Sequence, residues 1–134
     1  MRTLTVPGRA YPQGSLRSFR TKSGATVTPQ KPTVLTYRAD IQRVWGEPAP
    51  YGGPVHVHVE FRFQRPKSHF NKSGLKPSAP SAMTQSPDLD KLVRSVLDAL
   101  TAYAYEDDKQ VVIITAGKVW WHQPETVITV TEKE

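Results

Sequence analysis

At 134 residues the chain has the common size of one domain, and with no cysteine it excludes a disulfide framework, a thiolate zinc site and a thiol nucleophile. No run of about 18 apolar residues is present to span a membrane, and no apolar stretch follows Arg2, so a soluble, cytoplasmic protein is expected. The formal charge of +6 is unevenly spread: residues 1–83 hold thirteen Lys and Arg against three acids, a balance of +10, whereas residues 84–134 hold five against nine, −4. That division suits a polyanion held by the first part and a cation held by the second, although solvated surface charge alone would also produce it.

Taken in order, Leu4, Val6 and Pro7-Gly8 read as a short strand ended by a turn. From Arg9 to about Pro32 the chain is rich in Pro, Gly, Ser, Thr and Arg with little apolar periodicity, which predicts a long cationic loop. Tyr37, Ile41 and Trp45 recur every four residues, so Thr36 to Trp45 should form a short amphipathic helix, stopped by Gly46 and the Pro/Gly cluster after it. Val55 to Phe63 alternates apolar and polar residues strictly and is the clearest strand. Residues 65–85 lose periodicity and form a second cationic loop. Such long loops inside a compact domain tend to be functional.

Ser86-Pro87-Asp88 reads as a helix start, with Ser86 capping and Pro87 in the first position, and the helix should run to about Thr101. Leu89, Leu92, Val93, Val96, Leu97 and Leu100 make its apolar stripe. Val111–Ala116 and Thr126–Thr131 read as two further strands around a turn near Gln123-Pro124. The order is β-α-β-α-β-β, which predicts an α+β single domain over residues 1–134 with a mixed sheet of about four strands and helices packed on it.

Chemistry concentrates around the second helix. Asp88 and Asp90 flank Leu89 at its positive end, Arg94 follows one turn after Asp90, and Asp98 one turn after Arg94. Glu106-Asp107-Asp108 lies beyond the helix, where the chain is expected to return toward the helix start. Carboxylates without cysteine favour a hard cation such as magnesium, which can neutralise a phosphodiester and activate water. Each piece has a plainer use: the first two acids as helix-end charges, Arg94 as an i,i+4 partner of Asp90 and Asp98, and Asp107-Asp108 as an acidic turn. His56 and His58 share one strand face without a third partner, and His69 and His122 stand in loops. Trp120, Trp121, Tyr103 and Tyr105 suit packing better than base stacking.

The whole string from Ser86 to Trp120, SPDLDKLVRSVLDALTAYAYEDDKQVVIITAGKVW, resembles the RusA family of Holliday junction resolvases, endodeoxyribonucleases of bacteria and their phages. The resemblance lies in D-x-D, a basic residue four positions on, the V-L-D-A-L helix end and D-D-x-Q-V entering a strand; it extends weakly to T-V-P-G and the basic loop that follows. It implies a RusA-like fold, a magnesium ion held by Asp88, Asp90 and Asp108 rather than Asp107, and a homodimer that nicks four-way junctions in pairs. The essential basic position, usually lysine, falls on Arg94, and the usual asparagine after D-x-D is Lys91. Arginine can clamp a phosphate, yet its high pKa forbids proton transfer. Branched DNA is expected to lie on Arg17, Arg20, Lys22, Arg65, Lys67, Lys72, Lys76 and Lys91. Two alternatives stay open: a junction-binding protein of the same fold with impaired cleavage, and a basic nucleic-acid-binding module whose acids only end a helix.

Overall fold

The computed structural model describes residues 1–14, 18–21, 24–27 and 31–134, the two short segments by their backbone alone. Four long strands form one sheet: β1 (Arg2–Pro7), β4 (Val55–Gln64), β7 (Val111–Trp121) and β8 (Glu125–Glu132). Their spatial order is β1-β8-β4-β7. β8 pairs antiparallel with both β1 and β4, whereas β7 runs parallel to β4 and leaves its other side as the sheet edge. A separate hairpin of β2 (Ser18–Thr21) and β3 (Gly24–Val27) lies in what reads by composition as an unbroken loop.

The alternation of β4 does what its period demands. Val55, Val57, Val59, Phe61 and Phe63 are buried on one face, while His56, His58, Glu60 and Arg62 take the other. Two helices cover the buried face. The first, α1 (Pro32–Trp45), begins four residues before the expected Thr36, because Pro32 takes a first-turn position where no N–H is needed. It buries Tyr37, Ile41 and Trp45 at the predicted spacing and ends at Gly46, whose φ of +84° suits a residue without Cβ. Tyr37 reaches Thr126 of β8 through a 2.7 Å hydroxyl contact, and burial pushes its phenol well above the ordinary range.

The second helix, α2 (Leu89–Leu100), departs from expectation in two ways. Its cap is Asp88, in an extended conformation and without a side-chain capping bond, so Ser86 does not cap and Pro87 precedes the cap through a cis Ser86–Pro87 bond. The stripe is also rotated: Leu92, Ser95, Val96, Ala99 and Leu100 are buried, while Leu89, Val93 and Leu97 are only partly covered. Ser95 is buried because residues 11–13 cross this side of the helix, where the Ser95 hydroxyl donates to the Tyr11 carbonyl at 2.8 Å and the Gln13 N–H donates to the Lys91 carbonyl at 3.0 Å. Residues 11–13 therefore lie against the first half of α2.

Strand β7 continues past Ala116 to Trp121, since its pairing with β4 persists to Gln64. In residues 65–85 the expected loop contains a helical turn at Lys67–His69 and a small hairpin of β5 (Phe70–Asn71) with β6 (Gly74–Leu75). No helix among the described residues is long and apolar enough to cross a membrane. Leu92 of α2 is fully buried in the core. Leu92→Ala should cost about 2–5 kcal/mol, read as a lower urea midpoint with unchanged slope; a shift near zero would show that the helix does not depend on this face.

Candidate functional site

Asp88 ends the extended segment that enters α2, with its side chain 64% exposed and one oxygen 3.6 Å from Lys91 Nζ. Asp90 lies in the first helical turn, exposed, and no hydrogen bond or ion pair engages it among the described residues. Arg94 is exposed one turn later and forms no ion pair with Asp90 or Asp98. The plainer use of this arginine, an i,i+4 bridge, is thus not made. Two carboxylates and a guanidinium stand open to solvent at the positive end of a helix, a setting that accepts both a hard cation and an anionic phosphate.

The position of this helix start is held from β7. The Lys118 ammonium donates to the carbonyls of Gln85 and Pro87, at 2.7 and 2.9 Å, and the Trp120 indole N–H donates to the Ala82 carbonyl at 3.2 Å. Sequence reasoning missed Lys118; the signal was a lone lysine among apolar residues in TAGKVWW. It acts as a positioning residue, fixing the backbone immediately before Asp88.

The third acid lies elsewhere. Residues 101–110 double back at the C-terminal end of α2, where the N–H groups of Ala104 and Tyr103 donate to the Leu100 carbonyl, and the Tyr105 hydroxyl donates to that of Leu97 at 2.8 Å. Asp107 is spent on local structure: its Oδ1 accepts the Lys109 N–H at 2.9 Å, which draws its carboxyl below the usual range. In return Gln110 Oε1 accepts the N–H groups of Glu106 and Asp107, and Gln110 Nε2 donates to the carbonyls of Tyr51 and Gly53. Asp108 is left exposed, in a shallow concavity of about 390 Å3 shared with Asp98, Glu106 and Arg38.

Asp108 therefore precedes β7, at one end of α2, while Asp88 and Asp90 occupy the other. The helix has twelve residues and a length of roughly 18 Å. The expectation that the chain returns from Glu106-Asp107-Asp108 to the helix start within one molecule is corrected: α2 runs opposite to β7, so the return is made by the strand, after the acid has been left behind. No group of three or more His, Asp or Glu able to hold a metal exists among the described residues of one chain.

Of the cations expected on DNA, Arg17 and Lys22 lie outside the described residues, as does the side chain of Arg20 on β2. Lys67 and Lys72 are exposed, Lys76 is half-buried, and Lys91 is shared with Asp88. Arg65 donates to the Pro80 carbonyl at 2.8 Å, contacts His69 Nδ1 at 3.3 Å and lies over the Trp120 ring. His69, given no role by the sequence, packs edge-on against Trp120. His56 and His58 are 6.5 Å apart between ring centroids, and His56 Nε2 meets the Thr115 hydroxyl. Trp121 supports the Arg62 guanidinium, which also pairs with Glu60 and Glu125, and Tyr105 is buried.

Because Lys118 bonds the two carbonyls nearest Asp88, Lys118→Met should cost about 1.5–3 kcal/mol and speed amide hydrogen exchange across residues 85–90. An exchange profile unchanged from wild type would deny it that positioning role.

Residues 7–131 match the family described as Endodeoxyribonuclease RusA. An uncharacterized protein, YqaN, of Bacillus subtilis (strain 168) is 34% identical over 83 residues, a stretch that covers 60% of this chain and 58% of that protein. With its mixed four-stranded sheet and two covering helices, the chain belongs to the RusA family of endodeoxyribonucleases.

Proposed function

We propose that this protein is a magnesium-dependent endodeoxyribonuclease that resolves Holliday junctions and related branched DNA by paired phosphodiester hydrolysis, as a homodimer in the cytoplasm of a bacterial cell or phage-infected host. The observation that carries the reading is the open pair Asp88 and Asp90 with an unpaired Arg94 above it, at the start of a helix in a chain of this family.

The donor set fits the ion in kind. Asp88, Asp90 and Asp108 are exposed oxygen ligands, and a bound magnesium would supply charge neutralisation at the phosphate and an activated water. One chain contributes two of the three at one place, so the third is assigned to a second copy. Support comes from β7: it is an edge strand, and Val112, Ile113 and Ile114 are 59%, 44% and 47% exposed in succession, which leaves both its faces and its hydrogen-bonding side open. Lys118, toward the far end of the same strand, bonds the backbone beside Asp88. Two β7 strands paired antiparallel about a two-fold axis would bring the beginning of one, with Asp108 just before it, toward the end of the other, with Asp88 and Asp90 beside it. The same axis would give two sites, as two nicks require.

Arg94 is assigned to the scissile phosphate, where a planar guanidinium can hold two oxygens and stabilise developing charge without giving up a proton. The exposed lysines, with Arg65 and the cations at positions 17, 20 and 22, are assigned to the DNA backbone. A second reading is favoured by one contact. Lys91 stands where the family usually has asparagine and already pairs with Asp88 at 3.6 Å, so this resident cation competes for a metal ligand. It would make the protein a junction binder with impaired cleavage.

Nicking of a synthetic four-way junction decides between them. Wild type should cut with magnesium and stop on chelation. Asp90→Asn should lose at least about a hundredfold in rate, the scale of removing one essential electrostatic group, yet bind as tightly. Binding by wild type without product would establish the second reading. The shared site has its own test: neither Asp90→Asn nor Asp108→Asn alone has an intact site, but a mixed dimer regains one and should restore single nicks. Mixed dimers as inactive as the parents would refute the two-chain site.

A further inference from the structure

Beside the start of α2 lies a cavity of about 450 Å3, within the size range of pockets that take small organic groups. Its walls divide by chemistry. Phe63, Met83 and Trp120 supply apolar and aromatic surface, and the Trp120 ring is fixed in place by its bond to Ala82 and by the edge of His69. Arg9, Arg65 and Lys67 supply three positive charges, and no carboxylate lines the cavity among the described residues. Gln64, Gln85 and Ser86 add neutral donors and acceptors. The last two lie within three residues of Asp88, on the segment that Lys118 holds.

An aromatic wall, a guanidinium, amide groups and a cationic rim together match one chemical object, a nucleotide with its base exposed. Aromatic and guanidinium planes stack on a base of any identity, amides read its edge, and the cations take its phosphate. In an intact duplex no base is available for such a cavity, but bases at a branch point are the cheapest to unstack. We propose that this cavity receives one unpaired nucleotide of the branched DNA, drawn out next to the phosphodiester that is cut. The inference rests on the nuclease reading above and adds to it the means by which a branch is told from a duplex.

The test uses the full chain and two probes. Titration with the four deoxynucleoside 5′-monophosphates, followed by the Trp120 indole N–H signal in NMR and assigned with Trp120→Phe, should give a saturable shift at low-millimolar concentration. Inorganic phosphate should not reproduce it. Lys67→Ala, an exposed substitution, should weaken the nucleotide by about fivefold through loss of a phosphate contact. In the second probe Gln85→Trp, which fills the cavity while leaving the backbone carbonyl that Lys118 uses, should slow junction nicking about tenfold and change junction binding less than about threefold, because backbone contacts dominate affinity. No Trp120 shift at roughly 20 mM nucleotide, a concentration that would reveal even millimolar binding, or an equal shift with phosphate alone, would overturn the proposal. Nucleotide binding by a wild type that nicks no branched DNA would support the cavity and count against the nuclease reading.

Discussion

A helix of twelve residues is a spacer that cannot be shortened, and in this protein it carries Asp88 and Asp90 at one end and leaves Asp108 at the other. α2 is clamped along its length, with Leu92, Val96 and Leu100 in the core, Ser95 bonded to Tyr11, and the segment before it tied to Lys118. Bending it to join its ends would break the burial that stabilises the sheet's covered face. The separation of Asp108 from Asp88 and Asp90 is accordingly a property of the core.

The same clamp leaves a useful asymmetry around the helix. Its C-terminal end is closed by a compact acidic turn in which Asp107 and Gln110 satisfy each other's backbone, freeing Asp108 from structural duty. Its N-terminal end is open. There the first-turn carboxylate of Asp90 and the guanidinium of Arg94 have no protein partner among the described residues, so each keeps its charge for something outside the chain. Charges of opposite sign one turn apart would ordinarily bridge at small gain, and here both stay open to solvent.

Cations around this end differ in what they can do. Lys118 bonds two carbonyls and so holds backbone, whereas Arg65 bonds one and also lies over the Trp120 ring at the cavity wall. Lys67 and Arg9 are exposed at the rim of the neighbouring cavity.

Periodicity carried most of the fold. The strict alternation of Val55 to Phe63, the four-residue spacing of Tyr37, Ile41 and Trp45 and the apolar stripe of α2 each follow from local geometry, and the β-α-β-α-β-β order with its mixed four-stranded sheet was legible before any coordinates. So was the family membership carried by the string from Ser86 to Trp120. Local pattern could not report which residues meet across the fold. That β7 is an edge and runs opposite to α2, that Ser95 and Ala99 lie deeper than Leu89 and Val93, and that Lys118 holds the entry to α2 were decided by tertiary packing, because each depends on a segment distant in the chain arriving at that face. The distance between the acids belongs to this second class: spacing in sequence measures contour, and only the direction of the helix against its strand converts contour into space.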